Sequence, residues 1–552
     1  MDYAAILVQH NTPTPLYQQI ADQITQAAHQ GDIKLGEQLP PIRRLAYLLG
    51  VSPITVTQAY QALAQAGVAG GQIGRGTFIL PTPMPTPTDS GARYPHSTDA
   101  FTGEGVALAP SVMARDTREL PQAFRVRTAR TEGLRQLFSQ LLRDKSEESL
   151  IDISNGKPEP ALFSLPHWQK LMAQAGRSLD QESQRLADLA DLADLAAFQY
   201  GPALGDMGLR AFLADYLQRF DLQVTPDNIL LTSGTQQGLD LVARTFFQPG
   251  DSVFVEQYSY IAALDIFDNY GVHLQPVPLD EEGLQVEAFE RLLGAPQLRP
   301  RWLYIIPTGQ SPTGASLAVE RRRRLVEVAQ RNNVLIIEDD AFNELSYEPR
   351  QLAPAVASYA PRGGVIYLKS FSKTTFPAVR LGCLVASPEI FSALAEQKGL
   401  VDRGTSLLVA RTVLAYLQSP TYERNLERLR TVYRQRRDVL LAALERELSA
   451  LGCHWTRPRA GFSLLLTLPA ALREMEVMEE TVTQGVAVFP GRFFTPSAAE
   501  ARELTLRLTF ADKTPEQLEE ATRRLALALR TLLAREPREQ SATPARHFTT
   551  DV

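Results

Sequence analysis

Val365-Ile366-Tyr367-Leu368-Lys369-Ser370-Phe371-Ser372-Lys373-Thr374-Thr375-Phe376-Pro377-Ala378-Val379-Arg380-Leu381-Gly382 passes from an apolar run into two serines, a lysine and, seven residues on, an arginine. The run Val365 to Leu368 reads as a strand buried on both faces. Only eight of the 56 basic residues are lysine, so each lysine is informative. An amine at the end of a buried strand, beside hydroxyls and a guanidinium, suits a nucleophile that forms a Schiff base next to a phosphate. A second apolar run, Val334-Leu335-Ile336-Ile337, ends in Glu338-Asp339-Asp340. That places carboxylates at a C-terminal strand edge, where open α/β sheets bind ligands. A third, Ile229-Leu230-Leu231, leads through Thr232-Ser233-Gly234-Thr235-Gln236 into a helical pattern whose first amides can hold an anion. Phosphate, carbonyl and a ring nitrogen needing an anion together describe pyridoxal phosphate.

Around this centre, from about 149 to 533, short apolar runs alternate with helical patterns such as Val319 to Arg331. The alternation predicts an α/β domain with a mainly parallel sheet covered by helices. The whole chain has 552 residues and 61.1 kDa, too much for one ordinary domain. With 44% hydrophobic and 21% charged residues, and no apolar run near the ~18 needed to span a bilayer, membrane insertion is not expected. Met1-Asp2-Tyr3 opens no secretory signal, and Cys383 and Cys453 cannot make a disulfide framework, so a cytoplasmic location is expected. A net charge of -6 argues against wholesale coating of nucleic acid, yet leaves room for a small DNA-binding module. Pro81-Thr82-Pro83-Met84-Pro85-Thr86-Pro87 marks such a boundary. We therefore divide the chain into a module at 12–80, a linker at 81–148, a large domain at 149–535 and a tail at 536–552. Within the linker only Leu134 to Leu142 is convincingly amphipathic, and Leu186 to Leu195 reads as an inserted solvated helix. His273 and His454 lie in apolar stretches without metal-ligand spacing, so no metal is expected.

In the N-terminal module, Leu16 to Ala28 has helical spacing, Ile42 to Leu49 a second helix closed by Gly50, and Ser52-Pro53 caps and starts a third, Ile54 to Gln65. Two short helices joined by Gly50-Val51 make a helix-turn-helix, whose later helix would enter a major groove. The following Ala69 to Ile79, with Gly74-Arg75-Gly76 at its tip, reads as a two-stranded wing. Together, Leu39-Pro40-Pro41-Ile42-Arg43, Leu49-Gly50-Val51-Ser52, Thr55-Val56, Ala59-Tyr60 and Gly74-Arg75-Gly76-Thr77-Phe78 resemble the winged helix of the GntR family of transcription regulators. The resemblance implies double-stranded DNA as partner, with Arg43 on a phosphate or base edge, Ser52 and Thr55 at the groove and Arg75 in the minor groove. Pro53 stands where many relatives carry a basic residue. Residues 1–80 hold four basic and four acidic side chains, so one copy should bind phosphates weakly. A winged helix used only for protein contacts is the alternative.

The large region resembles the fold-type I aminotransferases along essentially all of 149–533. The resemblance implies a smaller C-terminal α+β subdomain, pyridoxal phosphate as cofactor, and Lys373 as its Schiff-base lysine. Asp339 would pair with the pyridine nitrogen, and Ser233, Gly234, Thr235, Ser370, Ser372 and Arg380 would surround the phosphate. Tyr260 would stack on the ring, Arg507 would bind a ligand carboxylate, and Gly156 would sit in the loop over that pocket. Tyr200 matches a tyrosine that reaches the neighbouring subunit's phosphate, which implies a homodimer with shared sites.

Two positions depart from the pattern. The family's Asn-Pro-Thr-Gly reads Ser311-Pro312-Thr313-Gly314, and Phe342 stands where a tyrosine is expected. Both missing groups would hydrogen-bond the ring 3-hydroxyl, so efficient transamination is not implied. Winged helix, linker and aminotransferase-like domain in this order resemble the MocR-type subfamily of GntR regulators. That implies a regulator sensing an amine, an amino acid or the cofactor itself. A working aminotransferase and a regulator that has lost its cofactor are the rivals, and fold alone does not choose among them.

Overall fold

The computed structural model describes residues 3, 6, 8, 15–30, 33–34, 36–66, 68–72, 76–79, 150–187, 201–295, 301–347, 352–496 and 503–535. Contacts divide the chain into two units, Met1–Thr98 and Asp99–Val552.

In the first unit, helices α1 (Leu16–Gln30), α2 (Ile42–Leu49) and α3 (Pro53–Gln65) precede strands β1 (Ala69–Gln72) and β2 (Gly76–Ile79). The strands pair antiparallel, Ala69 opposite Ile79. Gly50, at φ 64°, ends α2, and the Ser52 side chain accepts from the Thr55 amide at 3.1 Å to start α3. Ile20, Ile24, Leu45, Val56, Ala59 and Leu63 form the core, and the Tyr60 hydroxyl donates to the Pro40 carbonyl at 2.6 Å, tying α3 to the approach to α2. A three-helix module with a wing is what the sequence predicted, with α1 two residues longer and α3 starting at Pro53 itself.

The second unit starts with β3 (Ile151–Asp152) and is built on a seven-stranded sheet. Its strands are β4 (Ile229–Thr232), β5 (Ser252–Glu256), β6 (His273–Val277), β9 (Trp302–Ile305), β10 (Leu335–Asp340), β11 (Val365–Ser370) and β12 (Gly382–Val385), in the order β4-β12-β11-β10-β9-β5-β6. A short hairpin, β7 (Leu279–Asp280) and β8 (Gly283–Leu284), interrupts the sequence series. β12 runs antiparallel to both its neighbours, and the remaining sheet pairs are parallel. The continuous apolar runs are explained by burial: all four residues of β4 and β9 and all six of β11 are buried. Helices Thr235–Phe246, Ile261–Asn269, Val319–Arg331 and Pro388–Val401 supply the cover. The C-terminal portion is α+β: β13 (His454–Trp455), β14 (Ser463–Thr467), β16 (Phe489–Pro490) and β17 (Thr505–Thr509) form an antiparallel sheet flanked by Pro420–Leu448 and Pro515–Leu533. β15 (Val486–Ala487) pairs with β3, so the 150–160 segment is sewn into this portion. His273 and His454 are exposed strand residues. No helix among the described residues is long and apolar enough to cross a membrane, and no metal-binding cluster occurs among them.

Candidate functional site

The C-terminal ends of β4, β10 and β11 converge. After β4, Gly234 adopts φ 83°, and a Cβ there would lie 3.3 Å from Arg380 Nη2. Only glycine takes this conformation without strain, and it opens the N-terminus of Thr235–Phe246. Arg380, itself at φ 47°, donates from Nη2 to the Ser233 carbonyl at 3.0 Å, so its guanidinium lies across that turn. The third side of the cup comes from β11, where the Ser372 amide donates to Ser370 Oγ at 3.3 Å and both serines are buried. β12 can pass this close because residue 382 is glycine: a Cβ would lie 3.1 Å from Gly234 Cα. A helix N-terminus and a guanidinium thus meet at the Ser233–Gly234 turn, and two buried serines follow the neighbouring β11, residue types that suit an anion.

Beside the cup, Asp339 is almost fully buried. The Tyr304 hydroxyl donates to its Oδ2 at 2.9 Å, and no group among the described residues bonds Oδ1. Burial pushes the Asp339 carboxyl up to about 7; Asp340 adds to this, while Tyr304, Lys369 and Lys373 oppose it. The Tyr304 phenol is raised well above its ordinary value, by burial first and Asp339 second, so it stays a donor. A buried carboxylate oxygen left open is what a protonated ring nitrogen would satisfy.

Lys373 Nζ lies 3.4 Å from the Gly156 carbonyl and 5.4 Å above the Phe462 ring. A Cβ on Gly156 would fill the space between Phe462, at 3.8 Å, and Arg507 Nη1, at 3.7 Å. Arg507 reaches this point from β17, donating to the Ser154 carbonyl and resting against the adjoining rings of Phe489 and Phe494, 4.4 and 4.8 Å away. Lys373, Gly156 and Arg507 are therefore neighbours, although 217 residues separate the first two. Phe342 packs edge-on against Phe462 with centroids 5.2 Å apart, which places an apolar ring at the position where a phenol was expected. Tyr260 precedes the helix Ile261–Asn269, and Ser311 precedes a cis Pro312 in the adjoining turn. Gln310 holds these two segments together: Nε2 donates to Glu256 Oε2 at 3.1 Å and to the Tyr258 carbonyl, and Oε1 accepts from Thr313. Burial pushes Glu256 up to about 8 against the Gln310 and Ile306 donors. Tyr200 and Arg75 lie outside the described residues, as does the side chain of Arg43; Ser52 and Thr55 stand together at the start of α3, their hydroxyls 2.9 Å apart.

Sequence reading missed Tyr304, Gln310, Glu256 and Phe462. Tyr304 sits inside an apolar strand and looks like any core aromatic; its role follows from β9 lying beside β10.

Such a sheet, with a lysine after β11, a buried aspartate ending β10 and an anion cup after β4, defines a fold-type I pyridoxal-phosphate protein joined to a winged helix. Residues 177–525 match the family described as "Aminotransferase class I and II", and residues 16–79 match "Bacterial regulatory proteins, gntR family". The chain belongs to the aminotransferase class I and II family, with the domain order of the MocR-type GntR regulators. It is 34% identical over 398 residues to a 2-aminoadipate transaminase of Thermus thermophilus, covering 72% of this chain and 94% of that one. A probable rhizopine catabolism regulatory protein, MocR, of Rhizobium meliloti is 26% identical over 88% of each chain. Among solved structures, LysN, the α-aminoadipate aminotransferase of T. thermophilus complexed with N-(5'-phosphopyridoxyl)-L-leucine, superposes with a TM-score of 0.61. It shares 32% identity over 74% of this chain and all of that one.

Proposed function

We propose that this chain is a pyridoxal-phosphate-dependent transcription regulator, whose winged helix binds an operator and whose large domain senses an amine or amino acid. The observation that carries the reading is that one chain combines a DNA-binding fold with a cofactor site whose buried aspartate still has an open oxygen. The group supplies a carbonyl for an amine and a ring that draws in electrons. Lys373 would offer the amine, Asp339 would keep the ring nitrogen protonated with Tyr304 steadying its other oxygen, and Ser233, Gly234, Thr235, Ser370, Ser372 and Arg380 would anchor the phosphate. Tyr260 would stack on the ring. Arg507 and Gly156 receive a ligand carboxylate, which selects amino acids over simple amines.

Phe342 and Ser311 favour sensing over turnover, because a phenylalanine cannot donate to the ring 3-hydroxyl. The working unit is a homodimer. Met207, Leu400, Val401 and Leu408 leave apolar surface exposed around the 201–208 and 400–408 segments. Dimerisation also pairs two weakly charged winged helices on one operator, which raises the number of phosphates neutralised. The test is operator binding titrated with amino acids in wild type, Lys373→Ala and Arg507→Ala. Both variants should lose the response while still binding DNA; a folded Lys373→Ala dimer that responds like wild type overturns Schiff-base sensing. Sustained turnover with amino donors and keto acids would make the chain an aminotransferase instead.

A further inference from the structure

The anion cup is braced from outside by a line of polar contacts that the site itself does not contain. The Ser233 amide donates to Gln237 Oε1 at 2.7 Å, and Gln237 Nε2 donates to Asp402 Oδ2 at 2.7 Å. Asp402 is in turn gripped by Lys398 Nζ, 2.7 Å from each oxygen, and by the Gly404 amide at 2.9 Å. Gln237 belongs to the first turn of Thr235–Phe246, while Asp402 is the C-cap of Pro388–Val401, 165 residues away. A carboxylate at a helix C-terminus opposes the macrodipole and is an unfavourable place for an aspartate. Its neighbours account for its presence: the Lys398 side chain is fully buried and needs a counter-ion, and Gln237 needs an acceptor to fix its amide. Burial would raise the Asp402 carboxyl, yet Gln237, Lys398 and the Gly404 amide together hold it below its ordinary value, so it is ionised at neutral pH.

The consequence lies at Ser233. Its amide donates to the Gln237 side chain, which fixes the Thr232–Ser233 peptide plane. Arg380 binds the carbonyl of the same residue and so fixes the next plane, which leads into the left-handed Gly234; both backbone polar groups of Ser233 are therefore held by side chains. Building on the cofactor reading above, we propose that Gln237 and Asp402 are positioning residues for the phosphate cup: they pre-set the Ser233–Gly234 turn, and the affinity for the phosphate group depends on them although neither touches it. Preorganisation of this kind strengthens binding by removing the ordering cost from the binding step.

The experiment compares pyridoxal phosphate with pyridoxal, which lacks the phosphate, on the full-length protein. Each is titrated into wild type, Gln237→Leu and the double variant Asp402→Leu/Lys398→Met, and bound carbonyl is read as absorbance and as the borohydride-reduced adduct on Lys373. Gln237→Leu leaves the Asp402–Lys398 pair intact, and the double variant removes the buried charge together with its partner, so each keeps a foldable chain. Loss of a hydrogen bond to a charged group predicts roughly tenfold or greater weakening for pyridoxal phosphate. Pyridoxal should react with Lys373 as in wild type, within about twofold. Equal weakening of both ligands would mean a merely structural role, and unchanged pyridoxal phosphate affinity would remove the link to the cup; either result overturns the inference. If wild type itself takes up no pyridoxal phosphate, the cofactor reading fails, a result distinct from the other two.

Discussion

At the scale of single residues, the site is a set of groups whose ordinary chemistry has been displaced by burial. Asp339 and Glu256 are carboxyls pushed up to about 7 and about 8. A carboxyl whose folded-state value is raised holds its proton in the fold. Its contribution to stability is complete below its ordinary range of about 4 and is lost as pH rises through the folded value. The thermal midpoint of the cofactor-free protein should therefore fall between pH ~4 and ~8. Added pyridoxal phosphate should reduce the fall, because a protonated ring nitrogen facing Asp339 favours the ionised carboxylate. A flat profile would show that another group compensates. Tyr304→Phe removes the only donor to Asp339 Oδ2 among the described residues and should weaken cofactor binding about tenfold, as loss of a hydrogen bond to a charged acceptor does. Phe342→Tyr tests the missing phenol: the variant imine should lose its proton roughly 1–2 pH units lower than wild type, read by absorbance. An unchanged titration would mean that the new hydroxyl does not reach the ring.

At the scale of elements, β10 and β11 divide their polar residues between two faces. Asp339 faces the site, while Asp340 and Lys369, opposite each other in the register, belong to a network on the other side. Lys369 Nζ lies 2.5 Å from Glu344 Oε2 and 3.3 Å from Asp340 Oδ1, with all three side chains buried. The Tyr216 hydroxyl donates to Glu344 and lies 2.7 Å from that of Tyr422, and the Tyr367 hydroxyl donates to Asp340. Burial alone would lower the Lys369 ammonium, but Asp340 and Glu344 outweigh it and hold it above its ordinary value. Lys369 is thus an ion-paired core residue and no rival to Lys373. Lys369→Met leaves two buried carboxylates facing each other and should cost about 3–5 kcal/mol in chemical denaturation. Lys369→Met with Glu344→Gln should recover part of that loss. Borohydride should place no adduct on Lys369 in wild type. Short-range patterns made these elements readable, because a buried strand and a capped helix each write their period into consecutive residues. The pairing of Lys369 with Glu344, 25 residues away, had no such signature.

At the scale of the whole molecule, the units Met1–Thr98 and Asp99–Val552 must communicate for the regulator to work. Operator affinity should respond to effector by about 5–150-fold, the range of typical coupling energies, and effector affinity should change by the same factor when DNA is bound. A titration that shows one effect without its reciprocal would rule out equilibrium coupling. Arg43→Ala or Arg75→Ala should weaken operator binding without altering cofactor absorbance, and the loss should shrink at high salt if the contacts are to phosphates.

The sequence by itself determined the elements and the residue types at their ends. Apolar runs, the Ser52-Pro53 helix start, the glycine turn at 233–235 and the lysine after β11 are all local, and local periodicity and chain stiffness suffice to specify them. It also carried the family through motifs whose spacing is set by single turns. Only the tertiary structure decided which ends meet. The antiparallel insertion of β12 between β4 and β11 brings Arg380 across the Ser233 carbonyl, the adjacency of β9 and β10 gives Asp339 its tyrosine, and β17 carries Arg507 to Gly156. Such contacts depend on strand order and register across tens to hundreds of residues. Neither leaves a trace in the neighbouring sequence, because a buried tyrosine, glutamine or lysine looks the same whether it packs or bonds.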